Sequence, residues 1–417
     1  MLDVTAVRKD FPILSREVNG HPLAYLDTAS SAQKPGAVID AVTRAYSEEY
    51  ANVHRGLHTL SSIATERYET VRGVIARFIG AASEEEIVFT GGATEGINLV
   101  AQSWAAPRLR LGDEIILSTM EHHANIVPWH FLRERQGAVL KWVPCDAEGW
   151  LDPQAVLDAV TPRTRLIAVT HMSNVVGTLT DVAAICRGAR ERGVPVLVDG
   201  AQGAVHASVD VEAMGCDFYA LTGHKLYGPS ASGALYIRSD RAREMRPWKG
   251  GGDMIRDVTL DEASYAAPPL RFEAGTPAIV PQIGFGAALG YLMDIGMETI
   301  RGHETRLRDH AADRLGRLEG LRIIGGLRGR GPLFAFTLER GPAPAALALA
   351  LDAAGIAVRS GSFCSRPVNR QFGIEASCRA SFGLYTATSE IDRLAEVIAE
   401  CCEDFRKGRA AIVGGPK

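Results

Sequence analysis

Lys225 stands in Asp217-Phe218-Tyr219-Ala220-Leu221-Thr222-Gly223-His224-Lys225-Leu226-Tyr227-Gly228-Pro229, between an apolar strand-like run and a Gly/Pro stop. Asp199 ends a second such run, Val196-Leu197-Val198-Asp199-Gly200-Ala201-Gln202. Buried strands of a parallel sheet read as continuous apolar runs, and ligands gather beyond their carboxyl ends. One lysine and one aspartate so placed suit pyridoxal 5'-phosphate. The lysine can join it through its amine, and the aspartate can keep the pyridine nitrogen protonated so that the ring takes up electrons. Taken alone, each reads more simply as a solvated loop lysine or a helix-capping aspartate, because both types are mostly surface residues. The other residues of the set change that balance.

Thr90-Gly91-Gly92-Ala93-Thr94-Glu95-Gly96 follows a strand-like run and opens a helix. Backbone N–H groups at such a start, with small residues allowing close approach, make a phosphate seat to which Thr94 adds a hydroxyl. The same letters also describe a tight strand-to-helix turn, and they lack the lysine of a Walker A loop. His122, in Glu121-His122-His123-Ala124-Asn125, follows another strand and could stack on an aromatic cofactor or move protons. Adjacent histidines point in divergent directions, and His54 and His58 lack the Glu of a zincin, so no metal site is expected. Asn174 follows a strand and could support a ring oxygen or a substrate carboxylate. Arg379 is a candidate carboxylate clamp, because a guanidinium matches a carboxylate bidentately. Cys364, in Arg359-Ser360-Gly361-Ser362-Phe363-Cys364-Ser365-Arg366-Pro367, sits in a loop after a strand and could act as a nucleophile. Cys186, Cys216, Cys401 and Cys402 have the apolar or helical surroundings of inert core thiols.

The elements that must position these groups alternate along the chain. Strand candidates lie at 86–90, 114–118, 139–143, 166–170, 194–199, 218–222 and 233–237, with helical material such as 64–78 between several of them. That pattern predicts a doubly wound, mostly parallel α/β sheet, its last strand following Lys225 closely enough to pair antiparallel. Residues 250–282, rich in Gly and Pro, read as extended loop, and Gly284-Phe285-Gly286 falls within a helix beyond it. A long helix with Leu307, Ala311, Leu315 and Leu318 on one face, strands at 321–324, 333–338 and 356–359, and helices at 345–354 and 390–405 predict a smaller α+β domain. The expected division is an N-terminal segment (1–25), a large domain (26–295) and a small C-terminal domain (296–417), with residues 408–417 frayed. At 417 residues the chain is too long for one small core. A net charge of −4 argues against a nucleic-acid or anionic-membrane surface. Seven cysteines without CxxC spacing fit a reducing compartment, and no apolar run reaches transmembrane length, so a cytoplasmic location is expected.

Taken together, the chain resembles the type II, SUF-type cysteine desulfurases within the fold type I, class V aminotransferase-like enzymes. The likeness runs from Leu26-Asp27-Thr28-Ala29-Ser30 to the last helix. Its most specific stretches are Arg55-Gly56-Leu57-His58-Thr59, Thr94-Glu95-Gly96-Ile97-Asn98, Glu121-His122-His123-Ala124-Asn125, Val198-Asp199-Gly200-Ala201-Gln202, Gly223-His224-Lys225 and Arg271-Phe272-Glu273-Ala274-Gly275-Thr276-Pro277. The resemblance implies a mostly parallel seven-stranded sheet, a homodimer, and roles by position. Lys225 would carry the cofactor and shuttle a proton, Asp199 pair with its ring nitrogen, His122 stack on the ring, and Gln202 contact the ring hydroxyl oxygen. Thr94, Thr222 and His224 would bind phosphate, with Thr276 reaching across from the second subunit. Asn174 and Arg379 would hold the carboxylate of L-cysteine. Cys364 would take its sulfur as a persulfide, with Arg359 beside it, releasing alanine and feeding a protein acceptor in sulfur (for example iron–sulfur cluster) biogenesis. A selenocysteine lyase, a specialised C–S lyase, an aminotransferase or epimerase of the same fold, and a non-catalytic scaffold are the alternatives. The chain departs from the family pattern around the loop thiol. A histidine pair commonly precedes that cysteine and alanine follows it, whereas here the stretch is Ser362-Phe363-Cys364-Ser365. Ala93, Thr222 and Thr386-Ala387 are further departures.

Overall fold

The computed structural model describes residues 2–408. Seven strands form one sheet: β1 (Ile87–Thr90), β2 (Glu114–Ser118), β3 (Val139–Val143), β4 (Thr164–Thr170), β5 (Val196–Asp199), β6 (Phe218–Thr222) and β7 (Gly233–Ile237), in the order β1-β7-β6-β5-β4-β2-β3. β2 to β6 are mutually parallel, and β7 runs antiparallel to both β6 and β1. The apolar runs are continuous because both faces are covered. Val169, Val198, Leu221 and Tyr236 point into one apolar cluster, and Ala168, Leu197, Ala220 and Leu235 into the other.

Register places the strand ends that matter in one row. Thr170 pairs with Asp199, and Gly233 faces both Thr222 and Thr90. The sheet therefore presents Thr90, Thr222, Asp199 and Thr170 along a single edge, which is where ligands collect in open α/β sheets.

A second, antiparallel sheet contains β8 (Leu321–Ile323), β9 (Leu333–Leu338), β10 (Arg359–Gly361) and β11 (Ser377–Ser381), ordered β8-β9-β11-β10. Helices Met297–Gly316, Pro344–Ala353 and Thr388–Arg406 cover it through Leu307, Ala311, Leu347, Leu351, Ile391 and Leu394. Ala24–Tyr25 pairs in parallel with Ile356–Ala357, and Arg8 bonds Glu390 at 2.9 Å, so the N-terminal stretch packs beside this sheet. The helices Ile279–Ile295 and Met297–Gly316 meet at 78° across Gly296, whose φ of +87° is reached readily only by glycine.

Two expectations need correction, and one strand went unforeseen. Residues 250–282 are not all loop: Ile255–Val258 and Ala263–Tyr265 form a hairpin, and a helix begins at Ile279. The hairpin is solvent-exposed on both faces, so its residues show no apolar alternation. The strand expected at 356–359 is two short ones, Ile356–Ala357 and β10, in different sheets. Ser377–Ser381 is a fully buried strand that its polar letters conceal. Gly284-Phe285-Gly286 does lie in a helix. Of the tail expected to fray, residues 409–417 lie outside the described residues. Among the described residues, no single helix is long and apolar enough to cross a membrane.

Candidate active site

A cavity of about 650 Å³ opens at the carboxyl edge of the large sheet, and the second sheet supplies its opposite wall. From the large sheet come Thr94, His122, Asn174, Asp199, Gln202, Thr222, His224 and Lys225; from the other side come Arg359, Cys364 and Arg379. Of the residues singled out from sequence only Thr276 is absent from this lining, and it is exposed.

Burial sets the protonation states. The Lys225 ammonium is desolvated and its pKa falls to about 8, although nearby Asp199 opposes the shift. Burial pushes the Asp199 carboxyl up, while Lys225 and the Ala201 N–H, which donates to Oδ1 at 3.0 Å, pull it back. His122 falls to about 4 through burial and through Lys225, so its ring is neutral at pH 7. The Ala124 N–H donates to His122 Nδ1 at 3.1 Å, which leaves the ring proton on Nε2. His224 also falls to about 4, chiefly through burial.

The lining fits pyridoxal 5'-phosphate on observations independent of any relative. Gln202 donates to the Ala29 carbonyl at 2.7 Å, but its buried Oε1 has no partner and faces a site able to bring one. Gly92, with φ +140°, opens helix Ala93–Leu99, and a Cβ there would lie 3.1 Å from Thr222 Oγ1. The first-turn N–H groups of that helix have no partner within it and face the cavity beside Thr94. A desolvated lysine, a buried carboxylate, a neutral imidazole and a backbone anion seat are the donor set this cofactor needs.

On the opposite wall, Arg379 is buried, and burial lowers it to about 10. Its Nη1 donates to the Asn174 carbonyl at 3.0 Å and its Nη2 to Ser30 Oγ at 2.5 Å, while Nε has no partner. Arg359 is half exposed and grips Asp27 with Nη2 to Oδ2 at 3.0 Å. Cys364 is the one cysteine of the seven that is exposed.

Residues missed from sequence support these groups. Asp27 ties Arg359 to Arg379, which it meets at 3.4 Å. Glu121, fully buried and pushed up to about 8 by burial, accepts from Ser118 (2.5 Å), Asn125 (2.7 Å) and the Thr170 N–H (3.0 Å). It fixes the turn that aims His122. An acid three positions past the end of an apolar strand was the available signal for Glu121. Asp27 carried none, because its two arginine partners lie more than 300 positions away.

The aminotransferase class-V family model matches residues 24–394. The chain belongs to this family. Within it, the cysteine desulfurase of Salmonella gallinarum (strain 287/91 / NCTC 13346) is 49% identical over 392 residues, 94% of this chain and 96% of that protein. Two solved structures superpose over nearly the whole chain. The cysteine desulfurase CsdA of Escherichia coli, in an S-sulfonic acid form, has a TM-score of 0.90 and 37% identity, covering 97% of this chain and 99% of that one. The apo cysteine desulfurase of Thermococcus onnurineus NA1 has a TM-score of 0.91 and 36% identity, covering 97% and 98%. The fold is the fold type I architecture of the family, with its mixed seven-stranded sheet.

Proposed function

We propose that the protein is a pyridoxal phosphate-dependent cysteine desulfurase of the SUF type, converting L-cysteine to L-alanine and carrying the sulfur on Cys364. The observation that carries this reading is one cavity lined by both Lys225 and the exposed Cys364 thiol. Relatives named cysteine desulfurase support it, as do the motif stretches quoted above.

Lys225, Asp199, Gln202, His122, Thr94, Thr222 and His224 would hold the cofactor, which when bound supplies an electron sink for the substrate's Cα and Cβ. Lys225, lowered to about 8, removes and returns a proton at Cα near neutral pH. Asp199, whose carboxyl burial raises while Lys225 pulls it back, would pair with the ring nitrogen. His122, neutral, would stack on that ring without repelling a positively charged nitrogen. Arg379, through its unpartnered Nε, and Asn174 orient the carboxylate. The Cys364 thiolate attacks the substrate sulfur. The Cβ–S bond breaks with its electron pair left on carbon, which is protonated to give alanine, and the sulfur remains as the outer atom of a Cys364 persulfide. A thiol acceptor protein then takes it. L-Selenocysteine presents the same carboxylate and amine and is the alternative substrate.

The chain divides on this reading into a segment (1–25), a cofactor-binding domain (26–295) and a small domain (296–417) that carries the thiol, a division supported by the bend at Gly296. A homodimer is supported by the position of Thr276, exposed and off its own cavity, as expected of a group serving a second subunit. Free thiols at all seven cysteines support a cytoplasmic location.

The test is a pair of variants. Lys225→Ala should lose both the borohydride-fixable cofactor and all turnover, and Cys364→Ala should keep the cofactor spectrum but lose sulfide release from L-cysteine. Full desulfurase activity in Cys364→Ala would refute the persulfide role.

A further inference from the structure

The loop that carries Cys364 is held by the residues assigned above to the substrate carboxylate. Phe363 and Cys364 have φ of +52° and +55°, two consecutive side-chain-bearing residues in left-handed backbone. Each such residue is strained and persists only where its surroundings impose it. Here Asn174 imposes it. Its Nδ2 donates to the Phe363 carbonyl at 2.7 Å, and its Oδ1 accepts from Ser365 Oγ at 2.9 Å. Asn174 and Ser365 are both buried, so this pairing faces no competition from solvent. Asn369 Nδ2 holds the Ser362 carbonyl at 2.9 Å, and the His123 N–H donates to the Cys364 carbonyl at 2.7 Å. The Phe363 ring lies 4.7 Å from the Arg379 guanidinium carbon. Both carboxylate-binding groups are thus engaged by the thiol loop itself.

We propose that Ser365 is a positioning residue: its hydroxyl keeps the Asn174 amide on the Cys364 loop, an amino-acid carboxylate competes with this loop for that amide, and amino-acid binding therefore loosens the thiol loop. The inference rests on the reading of Asn174 as a carboxylate partner. Asn174 Nδ2 carries two N–H groups, of which the Phe363 carbonyl takes one; a carboxylate, which only accepts, draws on the same nitrogen, so the amide shifts toward it and the tether on the strained pair weakens. The thiol is restrained while the cavity lacks substrate and gains freedom when sulfur arrives. The residue that closes the strap stands where the family pattern has alanine, so this coupling belongs to the chain's own Ser362-Phe363-Cys364-Ser365.

The experiment compares holoenzyme and its Ser365→Ala variant by amide hydrogen exchange at His123 and over residues 359–371, with and without saturating L-alanine. L-Alanine carries the amine and carboxylate but no sulfur, so no turnover intervenes. Loss of one net hydrogen bond corresponds to about fivefold. Ser365→Ala should therefore exchange about fivefold faster at the Ser365 and His123 amides. It should also bind L-alanine about fivefold more tightly in a titration of cofactor absorbance, because the competing strap is weakened. In the unmutated enzyme L-alanine should accelerate exchange, and in the variant it should add little. A residue that merely held the site together would weaken L-alanine binding when removed. That result, or exchange equal in the two proteins, overturns the proposal. A spectrum indifferent to L-alanine would count against the carboxylate role of Asn174 and so against the site reading itself. The ligand-free exchange comparison decides the strap in either case.

Discussion

Replacing Gly233 by alanine tests whether Gly92 belongs to a cofactor seat. Gly233 begins β7, squeezed between β6 and the Gly91–Gly92 turn. A Cβ at position 233 would lie 2.6 Å from Gly92 Cα, 2.6 Å from the Leu221 carbonyl oxygen and 3.0 Å from the Gly92 nitrogen. Unstrained carbon–carbon contacts sit at roughly 3.5–4 Å, so about 1 Å must be found. Every atom in the way is backbone, and no side chain can swing aside. Overpacking of this kind costs about 1–3 kcal/mol. The softer side is the turn, so Gly92 moves, and the first-turn N–H groups of helix Ala93–Leu99 move with it. Cofactor affinity should fall about tenfold for each 1.4 kcal/mol lost there. Gly290→Ala is the control: a Cβ there meets nothing within 4 Å, and alanine in a helix interior gains up to about 1 kcal/mol. Thermal unfolding of apo- and holoprotein and an absorbance titration with pyridoxal phosphate read the two effects. Unchanged cofactor affinity together with clear destabilisation in Gly233→Ala would show that the anion seat is elsewhere.

Further expectations concern the network around this site. Arg72 meets the buried Glu273 at 2.8 Å and the more exposed Glu69 at 2.9 Å, and Glu273 also accepts the Phe89 N–H of β1. Arg72→Ala should cost about 3–5 kcal/mol by stranding a buried carboxylate, and Glu69→Ala far less; equal effects in denaturant unfolding would contradict this. In apoprotein the depressed Lys225 pKa, about 8 against roughly 10.4 unfolded, means the unfolded chain binds the extra proton between those values. Stability relative to apo Lys225→Met should therefore rise from pH 8 toward pH 10, and a flat or falling difference in urea midpoints would refute the desolvated amine. Iodoacetamide under native conditions should modify Cys364 before the other six thiols, five of which are buried, and peptide mapping would expose any other order.

Much of the site was legible because its residues follow apolar runs. Asp199 and Thr222 terminate strands buried on both faces, and Lys225, His122 and Asn174 follow such ends within a few positions. The chain switches there from continuous apolar letters to polar ones, and a parallel sheet gathers those switches along one edge. The opposite wall was less legible for a physical reason. β11 is Ser-Cys-Arg-Ala-Ser, buried at every position, and several of its polar groups find partners on distant segments, such as Arg379 on Ser30 and Ser381 on the Ala29 N–H. No local periodicity reports a partner so far away in sequence. The Ile255–Tyr265 hairpin escaped because nearly all its residues are solvent-exposed and carry no apolar alternation, and Asp27 and Ser365 because short polar residues in loops look alike until the loop is folded.

The most direct measurement follows the sulfur. Holoenzyme mixed with one equivalent of L-cysteine, quenched with an alkylating agent and digested, should yield a Cys364 peptide heavier by one sulfur atom, with alanine formed in equal amount. A second sample reduced with borohydride beforehand should carry the pyridoxyl group on Lys225. Alanine formed without added sulfur on Cys364, or a pyridoxyl group on any other lysine, would contradict the account.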